Sequence, residues 1–155
     1  MRQDSKYSET QYNHVFVLLY VIFITLTAIA IFIATVNNEN AGLAIMLLAT
    51  LLLLTFFMYM LGKMTIEVSD QSLFITMGFN FTTREFSLHQ IENKSLKIEK
   101  LPKWFGFGNK MASGNRTFFR IGFKPCVSFK LKNDEERYFV SSAHAEKLLA
   151  TLKIN

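Results

Sequence analysis

Apolar and polar positions follow two different regimes along this chain. Residues 15–36 and 41–62 are near-continuous apolar runs, with no Asp, Glu, Lys or Arg between positions 10 and 38 or between 40 and 62. At about 1.5 Å per residue, each run as a helix reaches about 33 Å, enough to cross a hydrocarbon core of about 30 Å. Only the polar tetrapeptide "NNEN" at 37–40 separates the runs. The pattern therefore predicts a two-helix transmembrane hairpin over 15–62, preceded by an N-terminal tail over 1–14. A cleaved leader is a poorer account, because the first run exceeds a leader's apolar core and a second run follows at once. Ala30 and Ala34 give one pair of small residues for helix contact. Thr25, Thr27, Thr50 and Thr55 can bond across the pair or back to their own helices. Neither run carries an ionisable side chain, which argues for an anchor and against a transporter or proton relay.

After Lys63 the period changes to alternation, the mark of half-buried strands. Met64, Ile66 and Val68 form one apolar face; Leu73, Ile75 and Met77 form a second, ending at Gly78. "TTREFSL" (82–88) and "SLKIEKL" (95–101) supply a third and a fourth strand. Phe119, Ile121 and Phe123 line a fifth, Val127, Phe129 and Leu131 a sixth, and "RYFVS" (137–141) a seventh. Ala145, Leu148, Leu149 and Leu152 then fall on one stripe of an amphipathic helix, with Ser141 or Ser142 as its cap. The expectation is about seven antiparallel strands over 63–155, closed as a small barrel with a C-terminal capping helix. Such a unit is expected to fold on its own as 64–155.

Composition removes several kinds of chemistry. The single cysteine, Cys126, excludes an intramolecular disulfide and a multi-cysteine metal site, and the histidines at 14, 89 and 144 are isolated in sequence. No metal site and no cofactor are expected. The segment "LPKWFGFGNKMASGNRTFF" (101–119) begins a G-x-G-x-x pattern at Gly106 but has Met111 in place of the third glycine. It also leads into a strand, whereas a dinucleotide loop opens a helix. It is no P-loop either, because Gly108 and Gly114 are one residue too far apart and "GNRT" lacks the phosphate lysine. Ser87 and His89 are two apart, with no orienting acid in the pattern, so no catalytic residue is assigned and the chain reads as a non-enzyme. The Asn-x-Ser/Thr triplets at Asn80, Asn93 and Asn115 matter only in a eukaryotic lumen.

Residues 64–155 resemble a bacterial pleckstrin-homology-like (PH-like) domain of the kind that follows a two-helix membrane hairpin. The resemblance rests on the early strand pair ending at Gly78, "REFSLHQI" (84–91), "FGFGNKMASG" (105–114) and "CVSFKLKNDEERYFVSSAHAEKLLATL" (126–152). It implies a PH-like barrel and a membrane-associated bacterial protein, and it carries over no catalytic residue. Phosphoinositide-binding PH domains gather phosphates with basic residues around their first hairpin loop. The corresponding Asp70-Gln71-Ser72 here has none.

Charge changes the picture last. Between Lys97 and Lys124 stand Lys97, Lys100, Lys103, Lys110, Arg116, Arg120 and Lys124 against Glu99 alone, interleaved with Trp104, Phe105 and Phe107. Segment 101–119 is expected to be a long connection between the fourth and fifth strands, flanking the bilayer. Its contact residues for lipid or a partner are Lys103, Trp104, Phe105, Lys110 and Arg116. Arg2 and Lys6 precede the first run and Lys63 follows the second, with no basic residue in the turn between. Both termini are thus expected in the cytoplasm, on a bacterial inner-membrane protein whose partners are lipids and a membrane or cytoplasmic protein, not nucleic acid. The competing reading is an auxiliary membrane-bound enzyme or a regulatory subunit of one.

Overall fold

A computed structural model describes residues 5–36, 41–78, 82–102, 108–112 and 115–153. The chain is mixed α/β: apolar N-terminal helical structure, two β-sheets and a C-terminal helix. Strand β1 (Tyr7–Tyr12) leads into α1 (His14–Val36), and α2 (Ala41–Leu61) leads into β2 (Lys63–Val68). Then come β3 (Ser72–Met77), β4 (Thr82–Ser87), β5 (Lys97–Glu99), β6 (Gly108–Ala112), β7 (Arg116–Arg120), β8 (Cys126–Lys130), β9 (Arg137–Ser141) and α3 (Ala145–Lys153).

His14–Ala34 is long and apolar enough to cross a membrane, with mean hydropathy 2.9 and only 6% of it buried. In α2 the apolar stretch recorded over described residues is shorter, Ile45–Met58. The two helices lie side by side and antiparallel, with Tyr20 Oη 2.7 Å from Thr55 Oγ1 and the Asn13 amide bonded to the Gly62 carbonyl at 2.9 Å. Thr25, Thr50 and Thr55 also donate back to the carbonyls four residues earlier, within their own helices. Among the described α1 residues, Ala34 and Thr27 are buried. Phe32 and Met46, each 70% exposed, point outward.

The first sheet has the order β1-β2-β3-β4, all antiparallel. The second has the order β5-β8-β9-β7-β6. It is antiparallel except where β7 runs parallel to β9, with Phe118 opposite Phe139 and their rings stacked 4.6 Å apart. Met64, Ile66 and Val68 of β2 and Leu73, Ile75 and Met77 of β3 face Phe119, Val127, Phe129 and Val140 of the second sheet. The amphipathic face of α3 covers this core with Ala145, Leu148 and Leu152. Phe86 meets Phe119, Phe129 and Tyr138 edge-on at 6.0, 5.4 and 4.9 Å, geometries an aromatic quadrupole favours.

Several expectations change. Among the described residues nine strands stand where about seven were expected, and they do not all run antiparallel. The stretch read as a tail contains β1, which pairs with β2 from Tyr7 opposite Val68 to Tyr12 opposite Lys63. It escaped the pattern because its inward positions are Tyr7, Glu9 and Gln11, which give no apolar alternation. The expected connection 101–119 contains β6, which pairs with β7. Its sequence "GNKMA" also lacks alternation. The fifth strand stops at Arg120, since Gly122 turns the chain at φ 69° and leaves Phe123 outside the apolar face expected for it. Asn115 at φ 51° occupies the turn into β7 that its sequence suggests.

The docked β1 also revises the expectation that 64–155 folds alone. Residues 63–155 by themselves would present β2 as an unpaired edge, a template for pairing with other copies. Since Tyr12 pairs with Lys63, residues 14–62 are replaceable by a short Gly/Ser turn that keeps β1 beside β2. Size-exclusion chromatography is expected to show the bare fragment self-associating and the β1-linked version monomeric with a higher Tm. Equal Tm and equal monomer content for the two would show that β1 contributes nothing to the domain.

Candidate functional site

The residues brought together most closely lie where the helices leave the sheet. Asn13 ends β1's run and begins α1. Its backbone carbonyl accepts from Val17 N–H at 3.0 Å and its Oδ1 from Phe16 N–H at 3.4 Å, the role of a helix N-cap. Its own amide donates to the Gly62 carbonyl, so the first residue before α1 is tied to the first after α2. Gly62 sits so tightly on the last turn of α2 that an added Cβ would lie 2.5 Å from the Met58 carbonyl oxygen. Only glycine fits there without moving that turn.

Below the junction, the inward face of β1 is polar and pinned to residues 141–144. Gln11 Nε2 donates to the Ser141 carbonyl at 2.7 Å. Glu9 accepts from Tyr7 Oη and from Ser142 Oγ, both at 2.5 Å, and from the Ala143 amide at 2.7 Å. Ser142 Oγ also accepts the His144 amide at 3.0 Å, just ahead of α3, and the Lys147 ammonium lies 6.0 Å from the Tyr7 ring centroid. Burial by itself would raise the Glu9 pKa. The bonds from Ser142, Tyr7 and Ala143, with the positive charge of Lys124, outweigh it and hold the carboxyl below its ordinary value. The Tyr7 hydroxyl moves the other way, raised by burial and by its bond to Glu9. Glu9 is thus a carboxylate and Tyr7 a donor throughout the neutral range, and the pair acts as a clamp rather than as an acid–base couple.

Other clusters differ in character. Buried Arg120 is held by three carbonyls, donating to Gly122, Pro102 and Leu101 at 3.2, 2.8 and 3.4 Å. Glu99 pairs with Arg137 at 2.9 Å and accepts from Ser128 Oγ at 2.8 Å. A cleft of about 430 Å³ between β4 and the second sheet is lined by Arg84, Glu85, Phe86, Thr117, Glu136 and Tyr138. There the Tyr138 hydroxyl donates toward Glu136 and Asp134 at 2.9 and 3.0 Å; burial and those carboxylates raise its pKa, so it stays protonated. Ser87 Oγ and His89 Nδ1 meet at 2.6 Å on an exposed turn, but among the described residues no carboxylate bonds the ring. Burial pushes the Cys126 thiol up to about 11, which keeps it a packing residue at neutral pH. No group of His, Cys, Asp and Glu able to hold a metal ion occurs among the described residues.

Of the contact residues read from sequence, Lys103, Trp104 and Phe105 lie outside the described residues. Lys110 stands on β6 opposite Phe118, two positions from the pair formed by Ala112 and Arg116. Arg116 is exposed at the start of β7 opposite Arg137, at the other end of that strand from Arg120. Of the clamp residues, Ser142 reads from sequence only as a cap of the C-terminal helix, and Glu9, Gln11 and Asn13 were missed. For Glu9 and Gln11 the signal was a period of two in "YSETQY", carried by polar side chains. Comparison of the chain with protein-family models, curated proteins and solved structures gives no match.

Glu9→Gln keeps the shape of the clamp but loses its charge. Charge-assisted bonds of this kind contribute about 1.5–3 kcal/mol at neutral pH. Because the folded carboxyl sits below its ordinary 4.5, that contribution is full above pH 4.5 and is lost as pH falls through the depressed folded value. Thermal denaturation in detergent is expected to show a wild-type advantage at pH 7 that narrows steadily below pH 4.5. A gap independent of pH would assign the loss to shape rather than charge.

Proposed function

We propose that this chain is a membrane-anchored PH-like module of bacteria, non-enzymatic, which presents an interaction or assembly surface on the cytoplasmic face of the inner membrane. The observation that carries this reading is the continuity of β1 with α1 and of α2 with β2. Two apolar helices leave the domain from adjacent, hydrogen-bonded strands, tied at Asn13 and Gly62. An anchor attached through one flexible linker would leave its domain free to tumble. An anchor attached through two paired strands fixes which face of the domain meets the bilayer.

In this reading α1 and α2 form a transmembrane hairpin, and both termini lie in the cytoplasm with Lys63 beside the anionic leaflet, whereas Lys6 pairs with Asp70 at the far end of the β1-β2 pair. The PH-like part of the reading rests on the sequence resemblance of 64–155. The module offers binding surface instead of reaction chemistry: Tyr138 and Cys126 are held protonated, and the buried carboxylate Glu9 is consumed by structural donors. Its partners are membrane lipids and a second membrane or cytoplasmic protein.

Topology reporters fused at residues 1 and 155 test the arrangement. A reporter active only in the cytoplasm is expected to work at both ends, and a reporter active only after export at neither. Export-dependent activity at either end would overturn the cytoplasmic assignment.

A further inference from the structure

We infer that the turn formed by residues 121–125 is a second contact with the bilayer, in which Phe123 enters the headgroup layer of an anionic leaflet and Lys124 lies among the phosphates. This rests on the membrane-anchor reading above and adds to it the face of the domain that touches lipid.

The placement follows from a chain of hydrogen bonds. Gln11 lies two residues before the N-cap Asn13, about 7 Å along a strand from the point where α1 leaves the sheet. Gln11 Nε2 bonds the Ser141 carbonyl at 2.7 Å. Ser141 Oγ in turn accepts the Ile121 amide at 2.9 Å, and the Ser142 amide donates to the Pro125 carbonyl at 2.9 Å. Both ends of the turn are therefore fastened to residues under β1: Ile121 to Ser141 at the level of Gln11, and Pro125 to Ser142 at the level of Glu9, about 13 Å along the strand from the exit. The polar layer of a bilayer is about 5–7 Å deep on each side. In the inferred orientation Phe123 spans the remaining distance from the Ser141 end of the turn.

The chemistry of the turn suits lipid. Gly122 at φ 69° reverses the chain, and Phe123, a large apolar side chain, is left 53% exposed. An exposed phenylalanine in a tight turn gains free energy by entering an apolar layer. The turn is also held rigid, so little conformational entropy opposes insertion: Arg120 Nε donates to the Gly122 carbonyl, and its guanidinium carbon lies 5.7 Å from the Phe123 ring centroid. Arg120 is 2% exposed, and among the described residues its hydrogen bonds go to carbonyls. The positive charges of Arg120 and Lys124 outnumber the one carboxylate that Lys124 faces, Glu9, and the sum favours an anionic surface over a neutral one.

The full-length protein in nanodiscs containing anionic lipid tests this with nitroxide labels at Phe123→Cys, at Lys132→Cys beyond the far end of β8, and at Leu48→Cys within α2. Buried Cys126 does not compete for the label. The expected result is an oxygen-to-nickel accessibility ratio at 123 that is several-fold higher than at 132 and lies between the ratios at 132 and 48. The ratio at 123 is expected to fall when Lys124→Glu is added or when the anionic lipid is replaced by neutral lipid. A solvent-like ratio at 123 with a membrane-like ratio at 48 would overturn the turn contact and leave the anchor standing. A solvent-like ratio at 48 would overturn the anchor itself and the inference with it. Dipolar broadening between labels at 123 would place a second copy of the chain on the turn and also refute lipid contact.

Discussion

The pairing of β1 with β2, pinned underneath by Glu9, is the constraint on which the rest of the structure depends. Glu9 is 9% exposed, and burying a carboxylate is costly unless donors replace its water. Tyr7, Ser142 and the Ala143 amide replace it, and two of these donors come from the far end of the chain. One side chain before α1 thereby fixes the segment that starts α3. Through Gln11 and Ser141 the same strand also sets the position of Ile121 and the turn that follows. Cutting this contact would release the helices from the sheet, and would strip donors and acceptors from residues 141–143.

Much of this architecture was legible in the sequence, for a physical reason. Wherever one face of an element meets the apolar core, the period of its hydrophobic residues reports the element. That is why β2, β3, β9 and α3 fall where alternation or a helical stripe put them, and why the apolar run of α1 stands out. The signal fails where the buried face is polar or both faces are buried. β1 is polar on its inward face, so a strand looked like a tail. β7 and β8 bury consecutive side chains on both faces, with Phe118, Cys126 and Phe139 forming a second small cluster behind the sheet, so alternation understates their burial. The crossing of β7 to the far side of β9 is a long-range choice that no local period encodes.

The candidate site was less legible than the fold. Basic and aromatic residues were conspicuous between 97 and 124, but composition does not say which of them face the same way. The fold separates Arg116 from Arg120 by the length of β7, and it fastens the turn that carries Phe123 and Lys124 to residues 141 and 142, which bond Gln11 and Glu9 of β1. Glu9 was hidden for the opposite reason: a lone glutamate in a polar stretch looks solvated until the donors from 142 and 143 close around it.

Amide hydrogen exchange of the full-length chain in nanodiscs tests the central claim most directly. If β1 is an integral strand, its amides bonded to β2 exchange through the same opening as those between β2 and β3, and with similar protection. Exchange of residues 7–12 at the rate of an unstructured peptide, while β3 and β4 stay protected, would contradict the account.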